Sequence, residues 1–178
     1  MIEDVLEFWF SELTPKQWFV KDDNLDQEII SRFTTIHKQA SACELASWRE
    51  TAKGRLAEII VLDQFSRNIY RDSANAFLQD PLALGLAQEA IRNGAHNELT
   101  TTQRSFLYMP FMHSESLIIH NEAVKLFSEP SLENNLEFEY KHKAIIERFG
   151  RYPHRNEILG RMSTEEERAF LTQPGSSF

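Results

Sequence analysis

The chain has 178 residues, of which 42% are hydrophobic, and its formal net charge at pH 7 is −8. A chain of this length buries roughly 70% of its unfolded surface, so the composition predicts a single folded domain, residues 1–178, that needs no disulfide or metal for stability. The negative charge repels the phosphate backbone of nucleic acids and anionic membrane surfaces alike, which argues against nucleic acid or membrane as a partner.

Cysteine content and hydropathy predict a cytoplasmic protein. Cys43 is the only cysteine, so no internal disulfide can form and a reducing compartment is expected. No apolar run approaches the roughly 18 residues of a membrane span. The opening residues 1–4 also lack the basic region of a signal peptide.

Hydrophobic spacing predicts helices throughout the first half of the chain. Apolar residues at helical spacing predict a first helix that ends near Ser11. Residues 14–17, Thr-Pro-Lys-Gln, have the pattern of a capping box with proline at the first helical position, so a short helix should follow. A long helix is expected over about 25–47. The segment 56–71 is apolar almost all round in its first half, which is typical of a helix buried on most sides.

Cap and proline signals predict the helices of the second half. The expected elements are a helix from Asp80-Pro81 to Asn93-Gly94, a segment opened by a capping box at Thr100 and Gln103 that runs to about Phe127 and is kinked or broken by Pro110, a helix over 136–149 closed by Gly150, a short helix over 153–159 ended by Gly160, and a last helix capped by residues 163–166. Residues 173–178 are predicted to form a frayed tail. No run shows the two-residue alternation of a strand, so the fold is predicted to be all-α.

Three short stretches place arginine, histidine and asparagine among aromatic residues, a combination typical of ligand sites. They are residues 63–71, 110–115 and 148–156. The candidate ligand-binding residues are Asp63, Arg67, Tyr70, Arg71, Arg148, Arg151, His154, Arg155 and Asn156, and the candidates for proton transfer are His113 and His154.

In the first stretch, polar residues continue a helix face that is otherwise apolar. Asp63 precedes Arg67 by four residues, which is the spacing of an intrahelical ion pair. Arg71 follows after another four and needs a further acid or a bound anion. Two interpretations stay open, a structural Asp–Arg network that ties helices together and a clamp for an anion.

The second stretch lacks the spacing of a metal site. His113 and Glu115 face different sides of a regular helix. Glu139 and His142 supply only one of the two Glu-x-x-His motifs that di-iron helical bundles use. We therefore predict no metal and no cofactor, and we interpret His142 as a core histidine hydrogen-bonded to a neighbour.

The third stretch predicts an anion site at the start of a helix. Gly150 can end one helix and Pro153 can begin the next, so His154 would lie where free backbone N–H groups and the helix dipole attract anions. Arg148, Arg151 and Arg161 flank this position. Because the chain is acidic, its own carboxylates are the alternative partners of these arginines.

Taken in order, the motifs resemble a bacterial family of unknown function, domain-of-unknown-function family 924. They are residues 62–71 (LDQFSRNIYR), Phe77 with 80–84 (DPLAL), 106–115 (FLYMPFMHSE), 148–156 (RFGRYPHRN), 159–161 (LGR) and 163–167 (STEEE). Ser66 is a departure, since proline is expected there in many relatives. The resemblance implies an all-helical, tetratricopeptide-like superhelix, which no internal repeat of about 34 residues indicates. It implies no catalytic residue.

Two functions follow from this sequence. The first is a small-molecule site, enzymatic or not, in which arginines hold an anionic metabolite and His113 or His154 transfers protons. The second is a tetratricopeptide-like interaction module for a peptide or protein partner, with the polar stretches purely structural.

Overall fold

The computed structural model describes residues 1–177, and within that range the fold is all-α, as predicted, with no strand. The α-helices are α1 (Ile2–Glu7), α2 (Asp23–Ser41), α3 (Ala52–Ile60), α4 (Ser66–Ile69), α5 (Asp80–Arg92), α6 (Thr101–Met112), α7 (Leu117–Phe127), α8 (Glu133–Phe149) and α9 (Glu165–Leu171). None of the helices in residues 1–177 combines the length and the apolar character that a membrane span requires. The tetratricopeptide-like superhelix and the single domain stay predictions.

The chain divides into two compact units. The first consists of Met1–Arg71 and Asn75–Pro110, and the second of Asp72–Ala74 and the chain from Phe111 onward. The predicted tail, 173–178, includes Phe178, which lies outside the described residues. Within the tail, the Ser176 hydroxyl donates to the Leu171 carbonyl at 3.2 Å.

The core of the first unit is the continuous helical segment from α3 to α4. The π-helical turn Val61–Phe65 joins the two helices, and the predicted burial is confirmed, since Leu56, Ile59 and Phe65 have no exposed surface. Gly54 lets the chain pass close to the preceding turn, because a Cβ there would lie 2.0 Å from the Trp48 carbonyl oxygen. The π turn was not predicted.

Two predictions about helices in the first unit were wrong. Residues 15–19 form turns rather than a helix, although the Gln17 side chain accepts from the Thr14 backbone at 2.9 Å as in a capping box. A single box cannot hold an isolated turn, and Phe19 is 66% exposed, so little burial stabilises a helix there. The long helix α2 ends at Ser41 instead of about residue 47, because Cys43 adopts a left-handed conformation with φ of 58°.

Most helix boundaries of the second half are confirmed. Thr100 and Gln103 form their capping box at the start of α6, and the chain breaks after Met112, just beyond Pro110. Helices α7 and α8 pack against each other, and Gly150 ends α8 with φ of 68°.

The predicted helix over 153–159 was wrong. Only the three residues Pro153–Arg155 are helical, and they form a single 3-10 turn. The sequence offers no apolar face of helical spacing here, so nothing propagates the turn. No α-helix N-terminus therefore stands at His154, and the dipole argument for anion binding does not apply.

Candidate functional site

The arginines of the first polar stretch pair with carboxylates of the same unit. Arg67 donates to both carboxylate oxygens of Asp80, at 2.9 and 3.0 Å, and also to the backbone carbonyl of Asp63 at 2.7 Å. The predicted pair with the Asp63 carboxylate is present at 3.3 Å. Asp80, from α5, is thus the main partner of Arg67, a bidentate geometry that fixes the two helices against each other.

Asp26 on α2 is the acid that Arg71 needs. The Arg71 guanidinium donates to both of its oxygens, one of them at 2.6 Å, and the Asn68 amide donates to it at 2.8 Å. Burial alone would raise the pKa of Asp26, but these hydrogen bonds outweigh it and lower the pKa below its usual value. The contacts in the first stretch are therefore those of the structural network.

Ser66 and His37 form a buried hydrogen-bonded pair. The Ser66 hydroxyl lies 2.5 Å from the Leu62 carbonyl oxygen, which can only accept a hydrogen bond. The hydroxyl therefore donates its single proton to this carbonyl. His37 Nε2, 2.7 Å from the same hydroxyl oxygen, must then be the donor. Burial lowers the pKa of His37, so the ring is neutral at pH 7. In this arrangement the histidine cannot take a proton from Ser66, which excludes Ser66 as a His37-activated nucleophile.

Glu167, buried in the second unit, organises much of the third stretch. Arg151 donates to its two oxygens at 2.6 and 2.8 Å, and the Asn156 amide donates at 3.3 Å. The hydrogen bonds from Arg151 and from the backbone of Thr164 outweigh burial and lower the pKa of Glu167 to about 2. Arg148 pairs with Glu166 at the surface, at 2.9 Å.

Glu115 joins the second stretch to the third. Arg161 holds it with two hydrogen bonds, at 2.6 and 2.8 Å, and the backbone N–H of Tyr152 donates to it at 2.7 Å. Burial would raise the pKa of this carboxyl, but the Arg161 hydrogen bonds outweigh it, so the pKa is lowered. Glu115 was not among the residues predicted to bind a ligand.

Tyr152 is the centre of a cluster of polar rings in the second unit. Its side chain is fully buried, and its hydroxyl donates to the Met112 carbonyl at 2.6 Å. Three histidine rings lie around it, with centroid distances of 6.2, 5.8 and 5.5 Å, and the Arg155 guanidinium lies 4.6 Å above its face. The three are His120, His142 and His154.

His120 and Glu139 form a buried dyad beside this tyrosine. His120 Nε2 donates to the Ser114 carbonyl at 2.8 Å, which turns Nδ1 toward the Glu139 carboxyl, 2.7 Å away. Burial raises the pKa of Glu139, since both side chains have no exposed surface. The second carboxyl oxygen of Glu139, Oε2, has no hydrogen-bond partner within residues 1–177. Burial thus favours the neutral, protonated form of Glu139 over the carboxylate.

The other two histidines of the cluster are neutral at pH 7. Burial, and next the charge of Arg155, lowers the pKa of His154 to about 4. Burial also lowers the pKa of His142 to about 3, although its bond to the Phe138 carbonyl, at 2.8 Å, acts in the opposite direction. The interpretation of His142 as a core histidine bonded to a neighbour is confirmed.

The predicted site residues thus fall into two groups. Those of the first stretch, Asp63, Arg67, Tyr70 and Arg71, lie in the first unit, whereas His113 and the residues of the third stretch lie in the second. The roles of His120 and Tyr152 were not predicted. His120 lies seven residues beyond His113, but α6 ends at Met112 and α7 begins at Leu117, so the two histidines share no helix face. Within residues 1–177, no three metal-binding side chains are grouped so that they could hold an ion.

Comparisons with known proteins agree with the fold. The solved structure of ATU0120, a protein of unknown function from Agrobacterium tumefaciens, is similar to this chain with 39% sequence identity and a TM-score of 0.89, and the match covers 96% of each chain. A comparison with curated proteins gave no match. The model of a family described as a bacterial protein of unknown function, DUF924, matches residues 5–175. The chain belongs to the DUF924 family.

Proposed function

We propose that the protein binds a small anionic metabolite in its second unit, beside Arg155, His154 and His113. The proposal rests on the observation that the charge of the buried Arg155 acts on several titratable groups around it. Arg155 is 7% exposed. Burial is the largest influence on the pKa values of His142 and His154 and lowers both, and the positive charge of Arg155 adds to this lowering. Burial acts to raise the pKa of Glu115, whereas hydrogen bonds from Arg161 and, to a smaller extent, the charge of Arg155 lower it. A positive potential therefore extends over a region whose rim, including His113 and His154, is partly open to solvent.

Glu115, a carboxylate on which the charge of Arg155 acts, has a cationic partner of its own. The charge of Glu115 is matched by Arg161, which binds it through both guanidinium nitrogens. An anion that entered the rim would interact favourably with the Arg155 charge, because the surroundings have a low dielectric constant.

The histidines give the proposed site a role in proton transfer. Neutral His154 carries one N–H donor and one acceptor nitrogen. A bound anion would raise its pKa from about 4 toward the neutral range, where a histidine can donate and accept protons during a reaction. His113 is the second candidate, from the turn that follows α6.

The test is a thermal-shift and NMR titration with inorganic phosphate, citrate and succinate. A ligand at about 100 times its dissociation constant stabilises a protein by about 2.7 kcal/mol. We expect one of these anions to raise the melting temperature and to move the His154 ring signals. Arg155→Lys keeps the charge but loses the planar fork, so it should weaken binding, whereas Arg148→Gln, at the exposed Glu166 pair, should not. No shift with any anion, or equal binding by Arg155→Lys, contradicts the proposal.

An interaction module is the second candidate, favoured by exposed apolar residues on the paired helices α7 and α8. Ile118 is 74% exposed, Phe138 50% and Tyr140 53%. Such residues are the usual contacts of a peptide or protein partner. A cross-linking comparison tests this candidate. Partners captured by the natural chain should be lost with Ile118→Glu, and identical capture by both chains counts against it.

We also propose a cytoplasmic location, since the one cysteine, Cys43, is free and exposed. Fractionation of cells that express the tagged chain tests it, and recovery in another fraction contradicts it.

A further inference from the structure

A cleft in the first unit supplies a second place where a small molecule fits. Its volume is about 330 Å³, and it is lined by the last turn of α2, by Tyr70 and by the segment that leads into α5. This size lies at the lower end of the roughly 300–1,000 Å³ that is typical of small-molecule sites. Of the residues predicted to bind a ligand, Tyr70 lines this cleft.

One wall of the cleft is held rigid by the buried His37 pair. His37 Nε2 donates to Ser66, so its Nδ1 faces the Ser41 hydroxyl, 3.4 Å away. The ring edge of His37 meets the Tyr70 ring, with centroids 5.3 Å apart and planes tilted by 67°. Tyr70 is thus positioned against a wall that is already ordered, which lowers the entropic cost of binding.

The charges around the cleft favour an anion. Lys38 lines the cleft, and none of the eight lining residues carries a carboxylate. His37 is neutral at pH 7, so the lysine is the charged group of the lining. The nearby carboxylate of Asp80 is engaged by Arg67 through both oxygens. The chain as a whole has a net charge of −8, which repels anions. A lining that has a lysine and no carboxylate makes the potential in the cleft more favourable for an anion than this net charge suggests.

The remaining lining groups define the shape of the ligand. Tyr70 and Gln79 bring a hydroxyl and an amide group that donate to oxygen. Gln79 is also the N-cap of α5. Leu78, 65% exposed, adds an apolar surface at the cleft.

We propose that this cleft binds a small organic carboxylate. Lys38, Tyr70 and Gln79 bind the carboxylate group, and Leu78 covers the hydrocarbon part. The site is independent of the anion site proposed beside Arg155, since the two use different residues in different units.

The experiment uses 4-fluorobenzoate as the probe and 4-fluorobenzamide as its neutral match, observed by fluorine NMR with the full chain. We expect the benzoate to broaden and shift in a saturable titration and the benzamide to bind several-fold more weakly. Lys38→Met keeps the length of the side chain and should weaken benzoate binding by about threefold to tenfold, because an exposed lysine contributes a modest charge interaction. Lys125→Met, at the exposed Glu122 pair on α7, is the matched control and should bind as the natural chain does.

Three results overturn the proposal. They are the absence of saturable benzoate binding, equal affinity for benzoate and benzamide, and equal benzoate binding by Lys38→Met and the natural chain. Arg155→Lys separates the two sites, because its loss of phosphate or citrate binding should leave the benzoate titration unchanged. Folding of each variant is checked by its thermal unfolding, and Tyr70→Phe, which removes one hydroxyl, gives a milder second variant with a smaller loss of benzoate affinity.

Discussion

Replacing Glu167 with glutamine tests the structural interpretation of the third polar stretch. Glutamine keeps the size of the side chain and can still occupy the third position of the capping box at the start of α9. The change therefore removes the charge and one of the two acceptor oxygens but keeps the shape of the side chain. It leaves Arg151 and Asn156, two of the predicted ligand residues, without the carboxylate they now bind.

The pKa of Glu167 sets the size of the effect. A pKa lowered from 4.5 to about 2 makes the ionised carboxylate more stable in the folded state than in the unfolded chain. At about 1.4 kcal/mol for each tenfold change, this shift corresponds to about 3 kcal/mol. Arg151 is 28% exposed, so solvent screening reduces the expected loss to about 2 kcal/mol at neutral pH.

The same shift predicts how the loss depends on pH. Because the folded pKa lies below the unfolded one, the stabilisation is present above about pH 4.5 and disappears as the pH falls toward about 2. The natural chain should therefore lose free energy of unfolding over this acid range, and Glu167→Gln should lose less. Both chains converge at the acid end.

The assay is urea unfolding followed by far-UV circular dichroism at a series of acid and neutral pH values. Glu166→Gln is the matched control, because it removes the neighbouring carboxylate from an exposed pair with Arg148 and should cost under about 0.5 kcal/mol. Equal losses for the two variants, or parallel pH profiles for Glu167→Gln and the natural chain, would refute the reasoning.

Three further predictions concern the buried polar groups. Arg67→Ala should lower the free energy of unfolding in urea by about 3 kcal/mol, because it leaves the carboxylates of Asp63 and Asp80 without this partner. Arg32→Ala, at an exposed ion pair, should lower it by under about 1 kcal/mol. Similar losses for the two variants contradict the structural network. His142, with a pKa of about 3, should show no protonation by NMR between pH 7 and about pH 5. Below about pH 6.5 the histidine is protonated in the unfolded chain but not in the folded one, so the natural chain loses stability there and His142→Gln should lose less. A His142 ring that titrates near pH 6.5 contradicts this prediction. The pKa of Glu139 is raised, so the natural chain loses free energy of unfolding as the pH rises and the buried acid must ionise. Glu139→Gln has no proton to lose, and its free energy of unfolding should therefore increase relative to that of the natural chain with increasing pH. A difference that stays constant with pH contradicts this prediction.

Local signals made many helix ends predictable from the sequence. The boxes at Thr100 and Thr164 and the stop at Gly150 depend on residues at most four positions apart, so their geometry follows from spacing. The π turn at Val61–Phe65 could not be predicted from the sequence. An extra residue in a helix is detected by a shift of the apolar stripe around the helix axis, and a segment that is apolar on every side has no such stripe.

The partners of the polar residues could not be predicted, because they lie far apart in the sequence. Arg71 meets Asp26 across 45 positions and Arg161 meets Glu115 across 46, and no local pattern chooses among the 27 acids of the chain. The interpretation of the arginines as either network or clamp could therefore be stated from the sequence, but not decided. His120 shows the same limit, because its importance depends on Glu139, which comes from another helix.

The π turn also fixes the relative phase of two parts of one helical segment. A π turn holds one residue more than the same turn of an α-helix, so it rotates everything that follows by roughly 100°. The apolar half before it packs into the core, and after that rotation Arg67 reaches Asp80 and Arg71 reaches Asp26. Deleting one residue within 61–65 would change the composition and the mean hydropathy little but would turn both arginines away from their acids. Length between these landmarks is thus as constrained as the identity of the residues.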